Sequence, residues 1–221
     1  MGEYLDMRAN SLVILDFETT GLSPDIGDRA IEIGAVRLVN GEVTERFQEL
    51  MNPGRRVSGF IEDYTGISND MLEDADSCAV VMDRFADFIA DDNLIAHNAS
   101  FDKRFLDAEF DRIGREYAGE FSCSLLLSRR IFQDSYSHKL GELVRFCNIK
   151  SDGDFHRALY DSEMTAKVWI AMLQSMGERY DIFDVPFDLI KKLTRTPKKN
   201  VNKLLSSYSL SWAKSQSSYH C

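Results

Sequence analysis

The chain has 221 residues, 44% of them hydrophobic and 11% aromatic, enough for one sizeable core with an appendage and little more. Its 26 Lys and Arg face 36 Asp and Glu, a net charge of −10, which excludes the broad basic face needed to coat duplex nucleic acid. The longest apolar runs, such as Leu12-Val13-Ile14-Leu15, fall far short of the roughly 20 residues that span a bilayer, so no membrane partner is expected.

Met1-Gly2-Glu3-Tyr4-Leu5-Asp6 lacks the basic-then-apolar order of a secretory signal, and a cytoplasmic location is expected. Leu12 to Leu15 is a strand run of the buried type, followed by the loop Ser23-Pro24-Asp25-Ile26-Gly27-Asp28. Ala30 to Val39 and Glu42 to Met51 are β-prone, and Asn40-Gly41 between them predicts an antiparallel hairpin. Val81, Phe85, Phe88 and Ile89 predict a helix over Val80 to Ile89, and Leu94-Ile95-Ala96 a short strand. Phe101, Phe105, Leu106, Phe110 and Ile113 form the apolar face of the next helix. Phe121 to Leu127 fits strand or helix. Leu140, Leu143, Val144 and Cys147 fit a helix, and the last clear one runs from about Ala158 to Met176.

Strands first and helices later, with one hairpin and two or more βα units, predict a mixed α/β sheet flanked by helices. Charge changes sign near Gly177: residues 177–221 hold eight basic residues against four acids, with no acid after Asp188. They end in a serine-rich stretch, Ser206 to Ser218, and a helical, partly disordered extension is expected. The expected organisation is a lead over 1–10, a domain over 11–176 and a basic extension over 177–221. Four cysteines without a C-x-x-C pair suggest neither a zinc cage nor a disulfide framework.

Asp16-Phe17-Glu18 places two carboxylates at the end of the first strand, pointing to one side about 6 to 7 Å apart, a spacing that suits one hard cation between them. Asp102 falls in the first turn of a helix, behind His97 and Asn98, and His156 and Asp161 flank the start of the last helix. Strand ends and helix starts are where a sheet-based fold gathers functional groups. Oxygen-only ligands suit Mg²⁺ or Mn²⁺ rather than zinc, and two such ions carry out phosphodiester hydrolysis. A histidine beside the attacking water serves as general base. No phosphate-binding loop, dinucleotide fingerprint, nucleophile elbow or H-E-x-x-H motif competes.

At these residues the sequence resembles the DEDDh, or DnaQ-like, 3′–5′ exonuclease family, whose members share a ribonuclease-H-like fold. The three motifs stand in order as Asp16-Phe17-Glu18-Thr19-Thr20-Gly21, His97-Asn98-Ala99-Ser100-Phe101-Asp102 and His156-Arg157-Ala158-Leu159-Tyr160-Asp161. Glu32-Ile33-Gly34-Ala35, Asn52-Pro53, Thr65-Gly66-Ile67 and Ser137-His138-Lys139-Leu140 match as well, whereas Cys123-Ser124-Leu125 replaces the common Asp-Thr-Leu.

The resemblance implies a five-stranded mixed sheet and two Mg²⁺, replaceable by Mn²⁺. Asp16 would bridge the ions, Glu18 and Asp161 complete the nucleophile site, Asp102 hold the second ion and His156 act as base. Thr19, Leu22, Ile67, His97, Asn98 and Phe101 would contact the 3′ end. The implied reaction releases nucleoside 5′-monophosphates from single-stranded or frayed 3′ ends, DNA favoured over RNA. The alternative is a proofreading subunit, or a scaffold of the same fold, that works through a polymerase partner; oligomeric state is left open.

Overall fold

A computed structural model describes residues 8–151 and 156–218, with 213–218 as backbone only. Strand β1 (Leu12–Thr19) opens on the apolar run and continues through the acidic motif. Alternation sends Leu12 and Ile14 into one hydrophobic layer and Val13, Leu15 and Phe17 into the other. β2 (Ala30–Val39) pairs antiparallel with all of β1, and β3 (Glu42–Leu50) antiparallel with β2. The turn between them puts Asn40 and Gly41 both at positive φ, 53° and 85°, as the hairpin dipeptide predicts.

β4 (Leu94–Ala96) and β5 (Phe121–Cys123) continue the sheet beyond β1 as parallel strands, giving the order β3-β2-β1-β4-β5. This is the expected five-stranded mixed sheet. β4 is much shorter than β1 and pairs with it only at Val13 and Ile14. Among the described residues, the stretch Leu15 to Thr19 therefore has β2 on one side and no strand on the other, which leaves a notch at the carboxyl end of the parallel strands. Ligands of open α/β sheets settle at that end.

Three short crossover helices follow β3: α1 (Gly59–Thr65), α2 (Asn69–Glu73) and α3 (Cys78–Ile89). Each opens on a serine, Ser58, Ser68 or Ser77, whose hydroxyl accepts a first-turn N–H. α3 and α4 (Ser100–Ile113) cover one sheet face through Phe85, Phe105 and Phe110. The ambiguous segment is both elements in succession, β5 running straight into α5 (Ser124–Ile131). α5, α6 (Leu140–Phe146) and α7 (Ala158–Tyr180) cover the other face around Trp169, whose indole N–H donates to the Ala9 carbonyl at 2.7 Å.

One expectation for the carboxy-terminal part differs from the structure. α7 does not stop at Met176: Gly177 lies within the helix, where a Cβ would come within 2.7 Å of the Phe183 ring. Ser206 to Ser218 lies in α9 (Val201–Ser218), the helical part of the expected extension. Leu205 is fully buried and Leu204 and Tyr208 pack beside it, so tertiary contact outweighs the modest helix propensity of the serines. With α8 (Phe187–Arg195), the segment puts Ile182, Val185, Leu189, Ile190, Leu193 and Val201 into the same layer as Leu12 and Ile14. Among the described residues no helix is long and apolar enough to cross a membrane.

Candidate active site

The notch beside β1 opens into a cleft of about 680 Å³ lined by Asp16, Glu18, Asp102, His156 and Asp161. Three devices bring them there. The Asp102 carboxylate, in the first turn of α4, accepts the backbone N–H of Phe17 at 3.2 Å and occupies the place a strand would take. Asp16 lies opposite Gly34 in the β1–β2 register. A Cβ on Gly34 would come within 2.0 Å of the Leu159 nitrogen, so only glycine lets the start of α7 rest on β2. The Ser162 hydroxyl donates to the Gly34 carbonyl at 2.8 Å and pins the helix there.

Glu18 lies opposite Glu32, which is fully buried and accepts from Arg157 Nη2 at 2.8 Å, the Ala158 N–H at 3.1 Å and Gln48 Nε2 at 2.9 Å. Glu32 thereby anchors the first turn of α7, from which Asp161 projects. Asp161 Oδ2 accepts the His156 N–H at 3.0 Å, and His156 sits at φ +74° with its ring 4.2 Å from that of Tyr64. Glu18, His156 and Asp161 offer ligand atoms all within 4.8 Å of one another.

Gathering these acids raises their proton affinity. Burial, then the charges of Asp102 and Asp161, hold the Asp16 carboxyl well above its ordinary value. Burial and the neighbouring Asp161 push Glu18 up to about 8. Burial raises Asp102 to about 7, against two backbone N–H bonds that lower it, and burial also raises Asp161. Among the described residues Asp161 Oδ1 is buried without a hydrogen-bond partner. An orphaned carboxylate oxygen among four crowded acids fits a divalent cation, which would supply the missing partner and relieve the repulsion. The all-carboxylate oxygen set matches the chemistry of Mg²⁺ or Mn²⁺.

Of the remaining sequence-predicted residues, Thr19, Leu22, His97, Asn98 and Phe101 also line the cleft. Leu22 stands at its rim, 79% exposed. The Thr19 hydroxyl is engaged in its own loop, donating to the Gly21 carbonyl at 2.6 Å. His97 has both ring nitrogens occupied, Nδ1 by Ser124 Oγ at 2.8 Å and Nε2 by the His138 carbonyl at 3.0 Å. The carbonyl only accepts, so Nε2 carries the proton and Nδ1 accepts from the serine. Burial lowers His97 to about 4, so it is a neutral strut.

Ile67 is not in the cleft. It is fully buried with Ile31, Val57 and Leu72, because Gly66 in the left-handed conformation ends α1 and turns the chain inward. The helix before it supplies Phe60, Ile61 and Tyr64 to the cleft instead. Phe60 and Tyr64 stack at 5.9 Å and are largely exposed. Their i, i+4 spacing behind Ser58 was the available signal. Glu32, Gly34 and Arg157 were visible only as parts of motifs, not as the residues that seat α7.

The exonuclease family model, RNase_T, matches residues 13–169. The chain is 37% identical over 177 residues to the PolC-type DNA polymerase III of Caldanaerobacter subterraneus and 38% over 173 to that of Staphylococcus aureus. These matches cover 80% and 78% of this chain but 12% of each relative, so the chain spans about an eighth of their length. Among solved structures it is similar to exonuclease X in complex with 5′ overhanging duplex DNA, with TM-score 0.66 and 25% identity over 83% of this chain and 99% of that one. The nuclease domain of 3′hExo, a DEDDh family member bound to rAMP, shares the fold at TM-score 0.65 and 22% identity, over 75% of this chain and 92% of that one. A family match over most of the chain coincides with four acids and a histidine gathered in one cleft: the chain belongs to the exonuclease family and carries a DEDDh-type 3′–5′ exonuclease domain.

Proposed function

We propose that the cleft hydrolyses the phosphodiester bond of a 3′-terminal nucleotide on single-stranded or frayed nucleic acid, DNA before RNA, and releases a nucleoside 5′-monophosphate. The observation that carries this reading is the convergence of Asp16, Glu18, Asp102 and Asp161, with one buried oxygen of Asp161 left unpartnered. These four carboxylates would hold two Mg²⁺, or Mn²⁺ in their place. Ions bound there would activate water and stabilise the leaving oxygen.

The chain's own residues would do the rest. The His156 ring, steadied by Tyr64 and by the backbone bond to Asp161, accepts the proton of the attacking water. Leu22 at the rim and Phe101 beside Asp102 offer apolar surfaces to the terminal base, and Thr19 and Asn98 border the sugar. The test is digestion of 5′-labelled DNA and RNA oligomers with Mg²⁺, Mn²⁺ or chelator. A ladder shortening from the 3′ end that chelation and Asp16→Asn both abolish is expected. Undiminished Mg²⁺-dependent degradation by Asp16→Asn would overturn the assignment.

Similarity to PolC-type polymerases supports a proofreading context, with a polymerase as partner. Faster removal of a mismatched than of a paired 3′ nucleotide is expected; equal rates would count against it.

A further inference from the structure

His97 and Asn98 form part of the cleft wall, and they also line a second groove, of about 650 Å³, on its far side. Arg129, Tyr136, His138 and Lys139 line that groove with them, and among the described residues no carboxylate does. We propose that this groove carries the single strand leading away from the 3′-terminal nucleotide, with its phosphates on Arg129, Lys139 and Lys198 and a base on Tyr136. The proposal rests on the exonuclease reading of the cleft and adds to it a path for the rest of the substrate.

Charge supports this assignment. In a chain of net charge −10, arginines such as Arg29, Arg46, Arg84, Arg115 and Arg157 are each matched by a carboxylate. Among the described residues Arg129, Lys139 and Lys198 have no such partner, a state shared by cations elsewhere such as Arg104 and Lys167, but these three gather at one groove. Unmatched cations on a groove (Arg129, Lys139) and beside it (Lys198), next to an anionic cleft, are placed to neutralise phosphates, while the cleft itself repels a polyanion until cations enter it.

The carboxy-terminal segment brings Lys198 close to His138, beside the groove. Arg130 of α5 donates to the carbonyls of Thr196 at 2.7 Å and Thr194 at 3.1 Å, and Gln133 Nε2 donates to the Lys198 carbonyl at 3.3 Å. These bonds fix the basic turn Lys198-Lys199-Asn200 against the end of α5. Burial lowers His138, and the charges of Lys198 and Arg129 lower it further, as two nearby cations should. Tyr136 is fully exposed, a ring with its faces open to a base.

The test compares the wild type with the charge-reversed Arg129→Glu/Lys139→Glu/Lys198→Glu protein, and separately with Tyr136→Ala. Binding of labelled oligothymidylates of about 4 and about 16 nucleotides is read by anisotropy with Ca²⁺ in place of Mg²⁺, and turnover is read on the same oligomers and on the p-nitrophenyl ester of thymidine 5′-monophosphate. The wild type is expected to prefer the longer oligomer about tenfold, and reversal to abolish that preference and reduce the log–log salt slope by about 2. Tyr136→Ala should weaken the longer oligomer at least about fivefold. Ester hydrolysis, which cannot reach the groove, should change less than about twofold.

An unchanged length preference after reversal, no preference in the wild type, or an equal loss on ester and long oligomer overturns the groove. A wild type that binds with the expected length preference but hydrolyses nothing overturns the reading of the cleft and leaves the groove standing.

Discussion

The Asp102 carboxylate accepts the backbone N–H of Phe17 at 3.2 Å, so an acid from α4 is fastened to the strand that carries Asp16 and Glu18. The bond has a structural and an electrostatic part, which two substitutions separate. Asp102→Asn keeps an acceptor for the Phe17 N–H and removes a negative charge from a crowded cleft. Its stability is expected to equal or exceed that of the wild type, while turnover falls at least about 100-fold. Asp102→Ala leaves the buried N–H unpaired and is expected to cost about 1–3 kcal/mol in urea denaturation. Equal destabilisation by both would show that the bond contributes nothing.

Gly34→Ala inserts a methyl group where the α7 backbone already lies within contact distance. The helix start must lift from β2 and carry Asp161 with it. A loss of about 2 kcal/mol or more is expected, with turnover reduced beyond what the fraction folded explains. A variant with wild-type melting temperature and wild-type turnover would contradict the close approach.

Glu18 near 8 and Asp102 near 7 stand above the carboxylate values of an unfolded chain, so the metal-free fold holds protons that the unfolded chain releases. Their contribution to stability is fully present below about pH 4 and is lost as pH rises through about 7 to 8. A bound divalent cation takes the place of those protons. Mg²⁺ or Mn²⁺ is therefore expected to raise the melting temperature more at about pH 8.5 than at about pH 6. A metal-induced shift of the same size at both values would sink the linkage.

Truncation after Glu178 removes Ile182, Val185, Phe187, Leu189, Ile190, Leu193, Val201 and Leu205 from the layer that contains Trp169. At about 1.5–3 kcal/mol for each large buried side chain, the loss exceeds the whole stability of an ordinary domain. The truncated chain should show no cooperative melting transition by circular dichroism. A stable, active fragment ending at residue 178 would refute this account of the core.

The parts legible in the sequence were those with short-range signatures. The acids at the end of β1 and at the starts of α4 and α7 are legible because a strand's alternation and a helix's first turn fix where such side chains go. Asn40-Gly41 announced its hairpin for the same reason. Ile67 was misplaced because one apolar residue after a turn reads alike whether it faces a core or a cleft. α1 and α2 are too short for periodicity to register, which concealed Phe60 and Tyr64. Glu32 was visible as part of a motif, but its role in seating α7 was not until folding brought Arg157, 125 positions away, onto it. The start of α9 is made by the packing of Val201, Leu204, Leu205 and Tyr208, which no serine announces.

β4 ends at Ala96 while β1 runs on to Thr19, and that inequality has a cost and a use. A β4 longer by two or three residues would complete the ladder along Leu15 to Phe17, adding roughly 1 kcal/mol for each new backbone bond. It would also displace Asp102 and seal the opening. The reactive edge of this domain is thus a gap in its own sheet, and substitutions that regularise that edge are expected to yield a sturdier but inert protein.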